Sequence, residues 1–103
     1  MSVLKDYKGR EVRLTSERLK HILDHPEMKN MTSSIKETLA RPQRVIQSLS
    51  DKDAQLYYRY YLKTDVGEKY LCVVVKLFKT DAFVLTAYLT DTIKKGELIW
   101  LRK

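Results

Sequence analysis

The feature that most constrains this chain is a change of hydrophobic period at Pro42. Before it, apolar residues recur at three- and four-residue spacing, the mark of short amphipathic helices. After it, apolar and polar residues alternate in runs rich in Val, Tyr, Leu and Phe, the mark of half-buried strands. The order predicts an α+β fold: two short N-terminal helices packed on one face of a four- to five-stranded antiparallel sheet, formed as one domain over residues 1–103.

The first helix is predicted over Ser16–Asp24, with Thr15 as N-cap, Leu14 and Leu19 at staple positions, and Pro26 stopping it after His25. The second is predicted over Ser34–Ala40, with Ser34 and Glu37 spaced as a capping box, Ile35 and Leu39 facing inward and Pro42 at its end. A short hairpin precedes both, from Val3 to Leu14 around Lys8-Gly9. Strands follow at Arg44–Leu49, Gln55–Lys63, Lys69–Phe78 and Ala82–Thr90, joined by polar turns short enough for antiparallel pairing. Asp91–Glu97 reads as a basic turn containing Gly96, and Leu98–Leu101, with Trp100, as a small edge strand.

Alternation groups the strand residues by face. Leu71, Val73, Val75 and Leu77 form one set, joined by Leu56, Tyr58, Tyr60 and Leu62 and by Phe83, Leu85, Ala87 and Leu89; these are expected to meet the helices. The opposite, open face then carries Arg59, Lys76, Thr86, Tyr88 and Thr90, interleaved with Tyr57 and Tyr61. Twenty Lys and Arg against thirteen Asp and Glu give a net charge of +7, so a polyanion is the expected partner, and the cation–aromatic–hydroxyl mixture suits RNA. The bland explanation is that Lys, Arg, Thr and Tyr are common on the solvent side of any sheet. Lys76 is sharper, because a cation inside the apolar run Leu71–Phe78 needs a partner or a ligand.

On the first helix Arg18, His21 and His25 are expected on one flank. Two histidines near neutral pH suit a base that takes a 2′-hydroxyl proton and an acid that protonates a leaving 5′-oxygen. Zinc held by His21 and His25 with Asp24 or Glu27 is a rival reading, weakened by the lack of further histidines, so no metal or other cofactor is expected. A structural reading also stands, in which His25 caps the helix end and His21 lies on the surface. There is no glycine-rich phosphate loop, no nucleophile elbow and no carboxylate cluster for two-metal catalysis. The single cysteine, Cys72, lies in an apolar strand, which fits a reduced protein of the cytoplasm and makes it a poor nucleophile. No run approaches the roughly 18 apolar residues of a membrane span, and neither helix has apolar surface to spare, so no membrane partner is expected.

Five segments carry a resemblance: Leu14-Thr15-Ser16-Glu17-Arg18, His21-Ile22-Leu23-Asp24-His25-Pro26-Glu27, Leu56-Tyr57-Tyr58-Arg59, Tyr70 through Lys76, and Thr86-Ala87-Tyr88-Leu89-Thr90. In this order they resemble a phage and bacterial branch of the barnase, EndoU, colicin and RelE-like ribonuclease superfamily. That resemblance implies metal-independent endoribonuclease chemistry, by attack of a 2′-hydroxyl on the adjacent phosphate. It also implies a toxin or conflict-system effector, with an antitoxin or immunity protein as partner. Carried onto these residues, His21 or His25 becomes base or acid, Arg59 and Lys76 hold the phosphate, and Thr86 and Tyr88 position sugar or base; the helix flank and sheet face read above add Arg18, Tyr57, Tyr61 and Thr90 as RNA contacts. The alternative is a noncatalytic RNA- or protein-binding module using the same basic face.

Overall fold

A computed structural model describes residues 2–103. The N-terminal hairpin forms as expected, β1 (Ser2–Lys5) antiparallel to β2 (Glu11–Leu14), and Gly9 turns it with a φ of 79° that favours glycine. Helix α1 (Ser16–Leu23) starts at Thr15, whose hydroxyl accepts from the Arg18 amide at 3.1 Å. It ends at Asp24, and Pro26–Met28 form a single 3-10 turn that buries Met28. Helix α2 (Thr32–Ala40) begins two residues before the expected Ser34. The Ser34–Glu37 capping box is absent: Met31 is the cap residue, its carbonyl accepting from the Ile35 amide, and Glu37 bonds Tyr61 instead. Burial of Met31 in the core fixes this start in place of a side-chain cap.

The five later strands are β3 (Arg44–Gln47), β4 (Ala54–Thr64), β5 (Gly67–Leu77), β6 (Ala82–Thr90) and β7 (Glu97–Leu101). With the hairpin they make one seven-stranded sheet in the order β1-β2-β6-β5-β4-β3-β7. The four- to five-stranded, wholly antiparallel sheet expected above is thus corrected. The hairpin adds two strands, and β2 runs parallel to β6 through the single register pair Arg13–Phe83. Beyond that pair the outer edge of β6 has no strand partner among the described residues, and α1 and the 3-10 turn pack along β6.

Ile22, Ile35 and Leu39 from the helices meet Val45, Tyr57, Leu71, Val73, Val75, Val84 and Ala87 in the main core. The predicted set of β5 holds, but that of β4 is reversed. Tyr57 pairs with Val73 and Arg59 with Leu71, so Tyr57, Arg59 and Tyr61 face the helices, while Leu56, Tyr58 and Tyr60 face away. Both sets in β4 are rich in Tyr and Leu; only pairing with β5 decides between them. The β5–β6 register slips between Val74 and Val75 of β5, where Leu85 is the extra residue on β6. This bulge sends Val84 inward and Phe83 and Leu85 outward, against the simple alternation.

The other face is not open. Ile46, Ala54, Leu56, Tyr58, Cys72 and Val74 form a second buried cluster there, with Tyr70, Leu85, Tyr88 and Ile93 packed against it. Ile93 comes from the 91–96 connection, which must cross from β6 to β7 at the far edge. At the hairpin turn the sheet closes on itself: Tyr7 packs on Trp100 at 4.8 Å between centroids and on Tyr57 at 5.8 Å. Asp6, 4% exposed, accepts there from the Tyr57 hydroxyl at 2.8 Å and from Arg10 Nε at 2.8 Å. No helix among the described residues is long and apolar enough to cross a membrane.

Candidate functional site

The candidate residues divide into three places. Arg18 and His21 are exposed on α1. His25 has left the helix: its backbone is extended, ahead of the 3-10 turn, and its Nδ1 lies 3.9 Å from Glu27 Oε1. The expected Arg18–His21–His25 flank is therefore shortened to its first two members, because Pro26 forbids helical geometry at the residue before it. The same break parts the i, i+4 pair invoked for zinc. Among the described residues no three His, Cys, Asp or Glu side chains are grouped to hold a metal.

Arg59, Tyr57 and Tyr61 lie on the helix side. Tyr57 is fully buried, so its predicted stacking on RNA is corrected: its hydroxyl belongs to the Asp6–Arg10 network. Arg59 donates to the Arg41 carbonyl at 2.7 Å and lies 3.5 Å from Glu37, which also accepts from Tyr61 at 2.6 Å. These contacts satisfy the carbonyl end of α2, a position where a cation also meets the helix dipole favourably. Burial, then Glu37, raises the Tyr61 phenol above its ordinary range.

Lys76, Thr86, Tyr88 and Thr90 lie on the opposite face. Lys76 finds the partner its burial demanded, Asp51 Oδ2 at 2.5 Å, and the ammonium holds that carboxyl below its usual value. Tyr88 sits against Cys72 and Tyr58, with the Lys94 ammonium 5.8 Å from its ring centroid. Its hydroxyl is buried without a hydrogen-bond partner. Tyr58 accepts from the Lys94 amide at 3.1 Å, and desolvation pushes its phenol up to about 12. Burial likewise raises the Cys72 thiol, so it is no nucleophile. Beside this cluster Ser48, Ser50, Asp51, Lys94 and Lys95 rim a cavity of about 420 Å³ over Leu56, Val74 and Leu85.

A second concave region joins the helix side to this face. Glu17, Arg18, Lys20, His21 and Asp24 line a cavity of about 370 Å³ on α1. Glu17 and Arg18 also line its neighbour, about 320 Å³, together with Arg13, Thr15 and Phe83. Arg13 is held by Asp81 through two bonds of 2.9 and 2.6 Å, and its guanidinium lies 5.6 Å from the Phe83 ring centroid. Asp81 is correspondingly kept below the ordinary carboxylate range. Across the sheet Arg13 pairs with Phe83 and Phe83 with Lys76, so one row leads from the α1 margin onto the far face. Between them the two cavities are lined by a histidine, two carboxylates, three cations and an aromatic ring, along α1 and the end of β2.

Arg13, Glu17 and Phe83 were not singled out in the sequence. Glu17 stands one turn before His21, a spacing that was readable. Phe83 was hidden by the bulge, and Arg13 by the parallel pairing of β2 with β6. A family model described as phage-Barnase-EndoU-ColicinE5/D-RelE like nuclease2 matches residues 1–102. No curated protein and no solved structure matches.

Proposed function

Because the chain belongs to the phage Barnase-EndoU-ColicinE5/D-RelE like nuclease family, we propose that it is a metal-independent endoribonuclease acting at the α1 margin. Family membership supports a nuclease in general; the observation that carries the finer reading is the pair of cavities that have Glu17 and Arg18 in common. His21 and Glu17, one helical turn apart, are the groups for proton transfer. One takes the proton of the 2′-hydroxyl as its oxygen bonds to phosphorus. The other gives a proton to the 5′-oxygen as the P–O5′ bond breaks, leaving a 2′,3′-cyclic phosphate and a free 5′-hydroxyl. Arg18 and Arg13 face the phosphoryl oxygens, whose charge grows in the transition state, and Asp81 keeps Arg13 aimed at them. Phe83 offers a face for a neighbouring base, and Lys76 lies next in the row for a further phosphate. In this proposal His25 and Arg59 leave the reacting centre, one beside Glu27 and the other on the end of α2.

The test is incubation of purified protein with total RNA in EDTA, with end-group analysis of the fragments. Fragments ending in 2′,3′-cyclic phosphate are expected from the wild type. His21→Ala is expected to slow their formation by about 10²–10⁴-fold, the ordinary contribution of a positioned acid or base. Intact RNA, or an undiminished rate in His21→Ala, refutes the assignment; intact RNA that is nevertheless bound points to a noncatalytic RNA-binding module.

A further inference from the structure

A third concavity, remote from α1, lies where β3, β4, β5 and β7 present their outer face. It measures about 490 Å³, within the roughly 300–1,000 Å³ of small-ligand sites, and Gln43, Arg44, Tyr60, Tyr70 and Arg102 are among its lining residues. Tyr60 and Tyr70 stand directly opposite each other on β4 and β5, rings 4.9 Å apart at 64°. Tyr60 remains 37% exposed, so its ring is available to a ligand rather than consumed by the core. Tyr70 is braced from behind by Tyr58, edge-on at 6.3 Å. Arg44 is brought beside the rings by its register with Tyr58 and Leu101.

Arg44, Arg102 and Lys103 border this cavity, and none of them makes an ion pair among the described residues. Elsewhere the chain pairs its framework cations, as at Arg10, Arg13, Arg59 and Lys76. The Gln43 side-chain oxygen accepts from the Tyr60 amide at 2.8 Å, which fixes the carboxamide and leaves its NH₂ group to donate. Rigid aromatic faces, unpaired cations and an oriented amide donor have a common complement: an unstacked base followed by its phosphates.

We propose that the Tyr60–Tyr70 cavity is a binding platform for single-stranded RNA, separate from the α1 margin, on which a part of the substrate strand away from the cleavage point is held. The proposal rests on the ribonuclease reading for its choice of RNA, but its test does not need cleavage. A base enclosed in a duplex cannot reach the rings, so the platform selects unpaired strands.

The test is fluorescence anisotropy of the intact protein with a labelled, fully 2′-O-methylated single-stranded RNA, which cannot undergo 2′-hydroxyl attack, and with its blunt duplex. Stacking of one base is worth about 1–3 kcal/mol, so Tyr60→Ala is expected to weaken single-strand binding by about 5–150-fold, while Tyr60→Phe, which keeps the ring, binds within about threefold of wild type. Arg44→Ala is expected to lower the slope of log K against log salt by about 0.7, one phosphate's worth for a single strand. Circular dichroism confirms that the variants are folded. Equal binding by Tyr60→Ala and wild type, equal affinity for duplex, or no binding by the wild type overturns the platform; cyclic-phosphate fragments in EDTA would still uphold the catalytic reading in each case. Displacement of the strand by poly-glutamate with the same dependence on Tyr60 also overturns it, in favour of an acidic protein segment.

Discussion

Asp6→Ala is expected to cost this domain a large part of its stability, although Asp6 lies in the turn between β1 and β2. The Asp6 side chain is 0% exposed. Its Oδ1 accepts from the Lys8 and Arg10 amides, each at 2.9 Å, and its Oδ2 accepts from Arg10 Nε and the Tyr57 hydroxyl, each at 2.8 Å. Tyr57 in turn accepts from Arg10 Nη2 at 3.1 Å. Removing one partner of a buried pair costs about 3–5 kcal/mol. The Arg10 side chain is 38% exposed, so water recovers part of its solvation and the expected loss falls near the lower bound, about 3 kcal/mol. A domain of this length has roughly 5–15 kcal/mol to lose. With a urea m-value of about 1–3 kcal/mol/M, the midpoint should fall by about 1–3 M. Trp100 is the natural probe, since it packs on Tyr7 in the same turn. Tyr57→Phe should cost about 1.5–3 kcal/mol by itself, as a hydrogen bond to a charged group. The double variant should cost less than the sum, because both substitutions break the same bond. A loss below about 1 kcal/mol for Asp6→Ala, or additivity within about 0.5 kcal/mol, would refute the view that this network locks the hairpin turn over the sheet.

Gly96→Ala should destabilise the 91–96 crossover, because a Cβ there would lie 2.6 Å from Ile46 Cγ2 and against the Gln47 carbonyl, which is strand backbone. Overpacking of about 1–3 kcal/mol should appear in a thermal melt as a Tm lowered by about 4–8 °C per kcal/mol. Asp51 and Asp81 are both held below 3.8 by their Lys76 and Arg13 partners, so the stability they contribute is present above that value and lost as pH falls through their lower folded values. Asp51→Asn should therefore flatten the acid limb of stability against pH in chemical denaturation. Tyr58 is neutral up to about 12 in the folded protein against 10.0 in an open chain, so its contribution is complete below 10.0 and is lost as pH rises toward 12. Ultraviolet titration of wild type against Tyr58→Phe should show a tyrosinate signal delayed beyond the exposed tyrosines, and loss of the same delay on unfolding.

The amino-acid sequence by itself determined the local elements. Thr15 with its exposed first-turn amides, Pro26 and Pro42 as stops, Gly9 in a positive-φ turn and the alternating runs after Pro42 act over a few residues, and their elements appear close to the expected bounds. It also determined that Lys76 required a partner or a ligand, since an isolated ammonium amid Val and Leu is costly; the structure supplies Asp51. What it left open was which side of each strand is inside. Tyr57, Arg59 and Tyr61 share a face by pleat alone, but β4 has tyrosines on both faces, and only its register with Leu71 and Val73 turned Tyr57 into the core. The Leu85 bulge, the meeting of Arg13 with Phe83 and the crossing of Ile93 over the sheet are likewise products of pairing between distant segments. The α1 margin was legible as the side chains of Arg18 and His21 on one helix, because helical spacing is local. Its connection to Arg13, Phe83 and Lys76 was not, because register and bulge are settled only when the whole sheet buries its two apolar clusters together.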